Sequence, residues 1–215
     1  MTPVVLAVDT AGPVVGAALL GLQDGPRSWS ARVTRGSDRV LTPALRDLLA
    51  GVSRLDWVAV SVGPGAFTSL RVGVAAALGL AVARGCPVVP VSSLAARAAT
   101  VGSGRVLALL DGRKGKAYAG LYVDGLLQGA EVDREPGAAM ALGQGDFTAT
   151  GEGAVVFGDQ VLAAGGTIAP DADASPALAL ARLSLALTPV PPEGVQLRYL
   201  RDADAKLPGN KSLRR

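Results

Sequence analysis

A chain of 215 residues, 49% apolar and 18% charged, is long enough for one large domain or two small lobes around a sizeable core. Its net charge of +3 permits weak attraction to a polyanion without demanding it, and an aromatic content of 4% leaves little material for stacking single-stranded nucleic acid. Histidine is absent and Cys86 is the one cysteine, which excludes Ser-His-Asp and Cys-His relays, His-ligated zinc and an internal disulfide.

Thr2-Pro3-Val4-Val5-Leu6 enters a strand pattern without a basic leader, so no signal peptide is expected. The apolar stretch from Val72 to Ala83 is short for a membrane span, and the expected location is the cytoplasm with no membrane contact. Val4 to Val8 predicts a buried strand that turns at Ala11-Gly12-Pro13 into Val14 to Leu20, a hairpin with Asp9-Thr10 at its mouth. A third strand is expected over Ser28 to Thr34. Gly36-Ser37 then opens a helix whose apolar residues Val40, Leu41, Ala44, Leu45, Leu48 and Leu49 share a face, with Pro43 removing one backbone bond. Trp57 to Val62 reads as a strand, followed by a glycine-framed loop and a helix from Thr68 to Arg84 closed by Gly85. Val88 to Val91 reads as another strand and Leu94 to Ala99 as a short helix.

The second half opens with an apolar strand from Val106 that ends at Asp111-Gly112, turns through Arg113-Lys114-Gly115 and continues as Lys116 to Val123. Val4 to Asp9 turning into Val14 to Leu20 has the same plan, which points to a duplicated lobe. Beyond it the signals thin. A short helix is expected within Glu131 to Leu142, a strand at Ala154 to Phe157 and a helix from Pro176 to Leu187, with turn-rich connectors at Gly143 to Gly153 and Thr188 to Gly194. The expected division is therefore an N-terminal lobe over 1–102, a reduced C-terminal lobe over 103–200 and a basic tail over 201–215 carrying Lys206, Lys211, Arg214 and Arg215.

Between strand and helix, the backbone N–H groups of Gly63-Pro64-Gly65 and the positive end of the helix dipole suit an anion. The same residues also read as a tight turn that lets a small-residue helix pack closely. No Gly-Lys-Ser/Thr follows, so this is not a Walker loop, and it lacks the third glycine of a dinucleotide fingerprint. Asp9 and Asp111 end equivalent strands. Such carboxylates hold a metal or orient a nucleotide phosphate through water, or simply cap turns, and neither has an obvious charged partner nearby in sequence. Gly73, Ala75, Ala76, Ala77, Gly79 and Ala81 give the following helix a small-residue surface that another element should approach closely. Cys86, between Gly85 and Pro87, reads as a buried connector thiol.

Leu6-Ala7-Val8-Asp9-Thr10, the loop Gly63-Pro64-Gly65-Ala66-Phe67-Thr68-Ser69-Leu70-Arg71, Pro90-Val91-Ser92-Ser93-Leu94, Leu110-Asp111-Gly112-Arg113, Tyr199-Leu200-Arg201 and Lys206-Leu207-Pro208-Gly209 together resemble the TsaB (YeaZ) family, an accessory component in the synthesis of tRNA threonylcarbamoyladenosine. Ala66 and Ser69 depart from the family's Ser and Gly, and both are small. The resemblance implies an α/β fold of two tandem ribonuclease-H-like lobes of the actin, sugar kinase and Hsp70 type, with the second lobe reduced. The catalytic relative TsaD carries a His-x-x-x-His metal pair whose positions fall at Ser93 and Arg97 here, and neither side chain replaces an imidazole at a metal.

The resemblance thus implies a subunit that is not an enzyme on its own and partners TsaD and the ATPase TsaE, or a homodimer when alone, with tRNA contact indirect or weak. It implies no cofactor of its own, with ATP or ADP allowed at the partner interface. Asp9, Thr10, Gly63, Gly65 and Asp111 are the expected nucleotide or phosphate contacts. Val40, Leu41, Leu45, Leu48, Val74 and Leu78 on the two helices are the expected partner interface, and no metal ligands are expected. An independent actin-fold ATP-binding phosphotransferase is the alternative, and a protease a weaker one for want of histidine.

Overall fold

The computed structural model describes residues 2–200; the basic-tail expectation lies outside them. Strands β1 (Val5–Asp9), β2 (Val14–Leu20) and β3 (Arg27–Arg32) form an antiparallel meander, and helix α1 (Ser37–Leu48) leads to β4 (Trp57–Ser61). Helix α2 (Phe67–Arg84) returns the chain to β5 (Val88–Val91), and α3 (Ser93–Val101) follows. β4 lies parallel to β1, with Val8 opposite Val60, and β5 lies parallel to β4, giving the order β3-β2-β1-β4-β5.

The second half repeats this plan. β6 (Arg105–Arg113), β7 (Lys116–Val123) and β8 (Leu126–Arg134) form the meander, then α4 (Pro136–Met140), β9 (Thr148–Thr150), α5 (Glu152–Val156), α6 (Gly158–Ala163), β10 (Thr167–Ile168) and α7 (Ala177–Leu183). Its strand order is β8-β7-β6-β9-β10, with β6–β9 and β9–β10 parallel and the rest antiparallel, so each strand has a counterpart in the first sheet. The fold is α/β, two ribonuclease-H-like lobes, and the second is the smaller: two helices of five and six residues stand where the first has the 18-residue α2.

Several boundaries differ from expectation for physical reasons. The short helix expected within Glu131 to Leu142 is α4, but the strand Leu126–Arg134 before it was not expected, because β8 is an edge strand with most side chains in solvent and carries no apolar alternation. Ala154 to Phe157, apolar and β-branched, falls in and just after helix α5 instead of a strand. There Gly151 and Gly153 fix a close turn against β6, and tertiary packing overrides propensity.

Alternation along β1 and β4 divides the first core. Leu6, Val8, Val58 and Val60 face α1 and α2, where Leu41, Leu45, Val74 and Ala77 complete the cluster. Val5, Ala7, Ala59 and Val89 face the other way, and their cover is Leu180 and Ala181 of α7 together with Ala96 of α3. Leu94 and Ala98 of α3 instead join Val106, Ala108 and Leu110 of β6. The helix that ends the second lobe thus covers the first sheet, while the helix that ends the first lobe lies between both. α2 is the one helix among the described residues long and apolar enough to cross a membrane by length and composition, and it packs on β1, β4 and α1.

Candidate functional site

A cleft of about 590 Å³ opens between the lobes, walled by the β1–β2 turn, the glycine loop, the β6–β7 turn and Tyr199. The loop is held from behind. Ser93 Oγ accepts from Gly63 N–H at 3.1 Å, Ser93 N–H donates back to the Gly63 carbonyl at 2.9 Å, and Ala66 N–H donates to the Ala11 carbonyl at 2.9 Å. Glycine is required at two places: Gly63 has φ +119° and a Cβ there would fall on the Arg198 carbonyl, and a Cβ on Gly65 would stand 2.6 Å from the Ala11 carbonyl. The first turn of α2 has no side-chain cap. Gly65 and Asp111 share the cleft wall, whereas Gly63 is buried against Arg198.

Asp9 and Thr10 do not reach the cleft wall. Thr10 is buried against Gly73, its hydroxyl donating to the Ser69 carbonyl at 2.6 Å. Asp9 is 0% exposed and is gripped by Arg97, whose Nη2 and Nη1 donate to its two carboxylate oxygens at 3.2 and 3.4 Å. For Asp9 the partner is distant in sequence, Arg97, 88 residues away; for Asp111 the expectation of no charged partner nearby in sequence is corrected, because Arg113, two residues on, has Nη1 at 3.1 Å from Oδ2. Arg97 Nε also lies 3.7 Å from Glu152 Oε2. Burial on its own lowers the Arg97 pKa, but Asp9 and then Glu152 beside it hold it above the ordinary arginine value. Burial pushes the Glu152 carboxyl above the usual range, and the Arg97 charge offsets part of that rise.

A third buried carboxylate underlies the loop. Glu131 accepts from Tyr122 Oη at 2.5 Å and from Ser92 Oγ, and Arg198 Nη1 lies 3.0 Å from its other oxygen, near enough for an ion pair but out of line for a hydrogen bond. Burial and then the Glu131 charge drive the Tyr122 phenol well above its ordinary value, so it stays a donor. Arg198 belongs to a C-terminal segment strapped across the first lobe: Val190 bridges Val88, Arg198 N–H donates to Val62 at 2.7 Å, and the Tyr199 ring lies 5.1 Å from Phe67. Arg71 sits 3.8 Å over the Phe67 ring and donates from Nε to Tyr199 Oη at 3.2 Å.

Sequence reading missed Glu131, Glu152 and Arg198. One signal could have found Glu152: Gly151-Glu152-Gly153 follows β9 as Gly63-Pro64-Gly65 follows β4, and the first glycine of each has positive φ. Cys86 is buried, and burial pushes its thiol up, which suits an inert connector.

On the outer face of the first lobe, Leu41, Leu45, Leu48 and Val74 are 0%, 5%, 8% and 6% exposed, core residues beneath α1 and α2 and not available for broad contact, because they cover Leu6, Val8, Val58 and Val60. Val40 and Leu78 are half-buried. The open surface of these helices is an apolar groove of about 500 Å³ between them, walled by Thr42, Leu49, Ala75, Ala76, Gly79 and Leu80, with Arg46 and Arg84 alongside, and of the expected interface residues Leu45 reaches its wall.

Comparison with known proteins agrees with this geometry. A family model described as TsaD, tRNA N6-adenosine threonylcarbamoyltransferase, matches residues 29–141. An uncharacterized protein of Mycobacterium tuberculosis is 37% identical over 151 residues, 64% of this chain and 70% of that one. The tRNA threonylcarbamoyladenosine biosynthesis protein TsaB of Bacillus subtilis is 31% identical over 138 residues, 60% of each chain. The solved structure of YeaZ from Pseudomonas aeruginosa superposes with a TM-score of 0.76 at 30% identity, covering 93% of this chain and all of that one. Duplicated lobes, the glycine loop and these matches agree, and the chain belongs to the TsaB (YeaZ) family.

Proposed function

We propose that this chain takes part in tRNA threonylcarbamoyladenosine biosynthesis as a non-catalytic subunit that docks the catalytic homologue TsaD, with TsaE completing the assembly. Family membership supports the pathway. The observation that carries the subunit role is the outer face of α2. This helix is apolar nearly all round, yet among its 18 residues only Leu70, Gly73, Val74, Ala77 and Ala81 are buried. Its exposed side presents Ala75, Gly79, Val82 and Ala83, small or apolar groups that let a partner helix come close beside the groove to α1. The interlobe centre agrees with the assignment of chemistry to the partner, since Asp9 is spent on Arg97 and the chain has no imidazole. The same pairing weighs against an independent phosphotransferase, which would need Asp9 free to organise a metal-bound nucleotide. ATP or ADP, if used, then belongs at the partner interface.

Reconstitution tests this reading. Purified alone, the chain should transfer no threonylcarbamoyl group; added to TsaD and TsaE of the same organism it should raise modification at least tenfold. Gly79→Arg should abolish co-purification with TsaD and that stimulation while lowering Tm little, because the added side chain points into open space. Full activity of TsaD and TsaE without this chain, or turnover by this chain alone, would contradict the proposal.

A further inference from the structure

Three charged side chains from three elements meet in the interior between the sheets. Asp9 ends β1, Glu152 opens α5 of the second lobe, and Arg97 stands on α3 between them. Their side chains are 0%, 11% and 5% exposed. Carboxylates in such a place are costly unless a cation accompanies them. Here the cation is covalently part of the chain. Arg97 forks onto both oxygens of Asp9, approaches Glu152 from Nε, and is oriented by Nη1 donating to the Ser93 carbonyl at 2.9 Å. Gly12 makes room in the β1–β2 turn: a Cβ there would stand 3.0 Å from Arg97 Nη2 and 3.1 Å from Glu152 Oε2.

We infer that Arg97 is a built-in cation that clamps the two lobes at one closure, so that the cleft keeps its width with no metal or nucleotide bound between them. An ion or nucleotide held between carboxylates dissociates and lets such lobes swing, whereas a side chain anchored on α3 does not. The fork geometry favours a clamp over simple packing, because both Nη groups of the guanidinium are committed to the first lobe while Nε faces the second. A second pair across the lobes, Arg32 with Asp173, is exposed at 55% and 37% and is a weak restraint by comparison. The inference concerns the chain itself and stands whether or not TsaD is its partner.

Spin labels on Thr34→Cys and Lys114→Cys, one at the cleft wall of each lobe, read the closure directly in a Cys86→Ala background. The parent should give one narrow distance distribution, unchanged by magnesium. Arg97→Ala should broaden it and lower Tm by about 10 °C, since it strands buried carboxylates. Asp9→Asn combined with Arg97→Ala should regain much of that Tm, because the stranded charge is gone, while the distribution stays broad, because the clamp is gone too. Should Arg97→Ala fail to fold, Arg97→Gln, which keeps a donor for Asp9 without the charge, carries the same comparison. A narrow parental distribution in the Arg97 variant overturns the inference. So do Tm losses from Asp9→Asn and Arg97→Ala that merely add in the double variant.

Discussion

Gly73 and Gly79 sit six residues apart on α2 and do opposite things. A Cβ on Gly73 would fall on the Thr10 hydroxyl, so the missing side chain is what lets α2 lie against the end of β1 and what keeps Thr10 bonded to Ser69. A Cβ on Gly79 would meet nothing. Gly73→Ala should therefore destabilise by about 1–3 kcal/mol through overpacking, and Gly79→Ala should stabilise by about 0.5–1 kcal/mol through helix propensity alone. Paired thermal melts check both signs, and equal shifts would mean that α2 does not press on Thr10. The glycines that matter were visible in the sequence, but which of them faces a backbone and which faces solvent depends on the rotation of the helix, and α2 is too uniformly apolar to reveal it. The same limit explains why Leu41, Leu45, Leu48 and Val74 read as an interface. Periodicity marks one apolar face, and a helix that covers a sheet spends that face on the sheet.

Among the elements, the C-terminal strap has the largest influence for its size. Beyond the Val190 bridge it has a single 3-10 turn at Pro192–Gly194, yet Arg198 joins Val62, just before the glycine loop, by its backbone and the buried Glu131 by its side chain. Arg198→Ala should leave Glu131 with two neutral donors and no counter-charge, at a cost of about 1–3 kcal/mol given that the guanidinium is half in solvent. Thermal unfolding together with limited proteolysis of the strap checks this, and an unchanged melt would reduce the pair to a surface contact. First-lobe elements were legible because β1, β2, β4 and β5 are mostly buried apolar runs, and because Gly85 ends α2 in the left-handed conformation at φ +62°. The second lobe was less so. Strands of three and two residues, β9 and β10, are too short to show alternation, and the exposed β8 has no reason to. Arg97, Glu131 and Glu152 were illegible as a group, because their partners lie far apart in the chain and only the duplicated topology brings them together.

At the scale of the whole molecule, duplication and exchange act together. Two sheets of the same order would be expected to unfold separately, but α7 lies on β1 and β2, α3 lies on β6 and against α7, and buried charges join the interior. Calorimetry should therefore show one cooperative transition for the full chain, with calorimetric and van't Hoff enthalpies in agreement. Two resolved transitions would mean that the exchanged helices contribute little. The repeat itself was legible from Asp9 and Asp111 at the ends of matching strands, whereas the exchange was not, since α3 and α7 carry the same short Ala/Leu pattern and nothing local says which sheet each will meet.

That exchange also bears on how the polypeptide is born. A ribosome that has delivered all five strands of the first sheet has still to make α7, so Val5, Ala7, Ala59 and Val89 wait without their lid until Leu180 and Ala181 emerge some 90 residues later. The first lobe must therefore linger as a greasy, half-dressed nascent chain, and its maturation depends on the translation of α7.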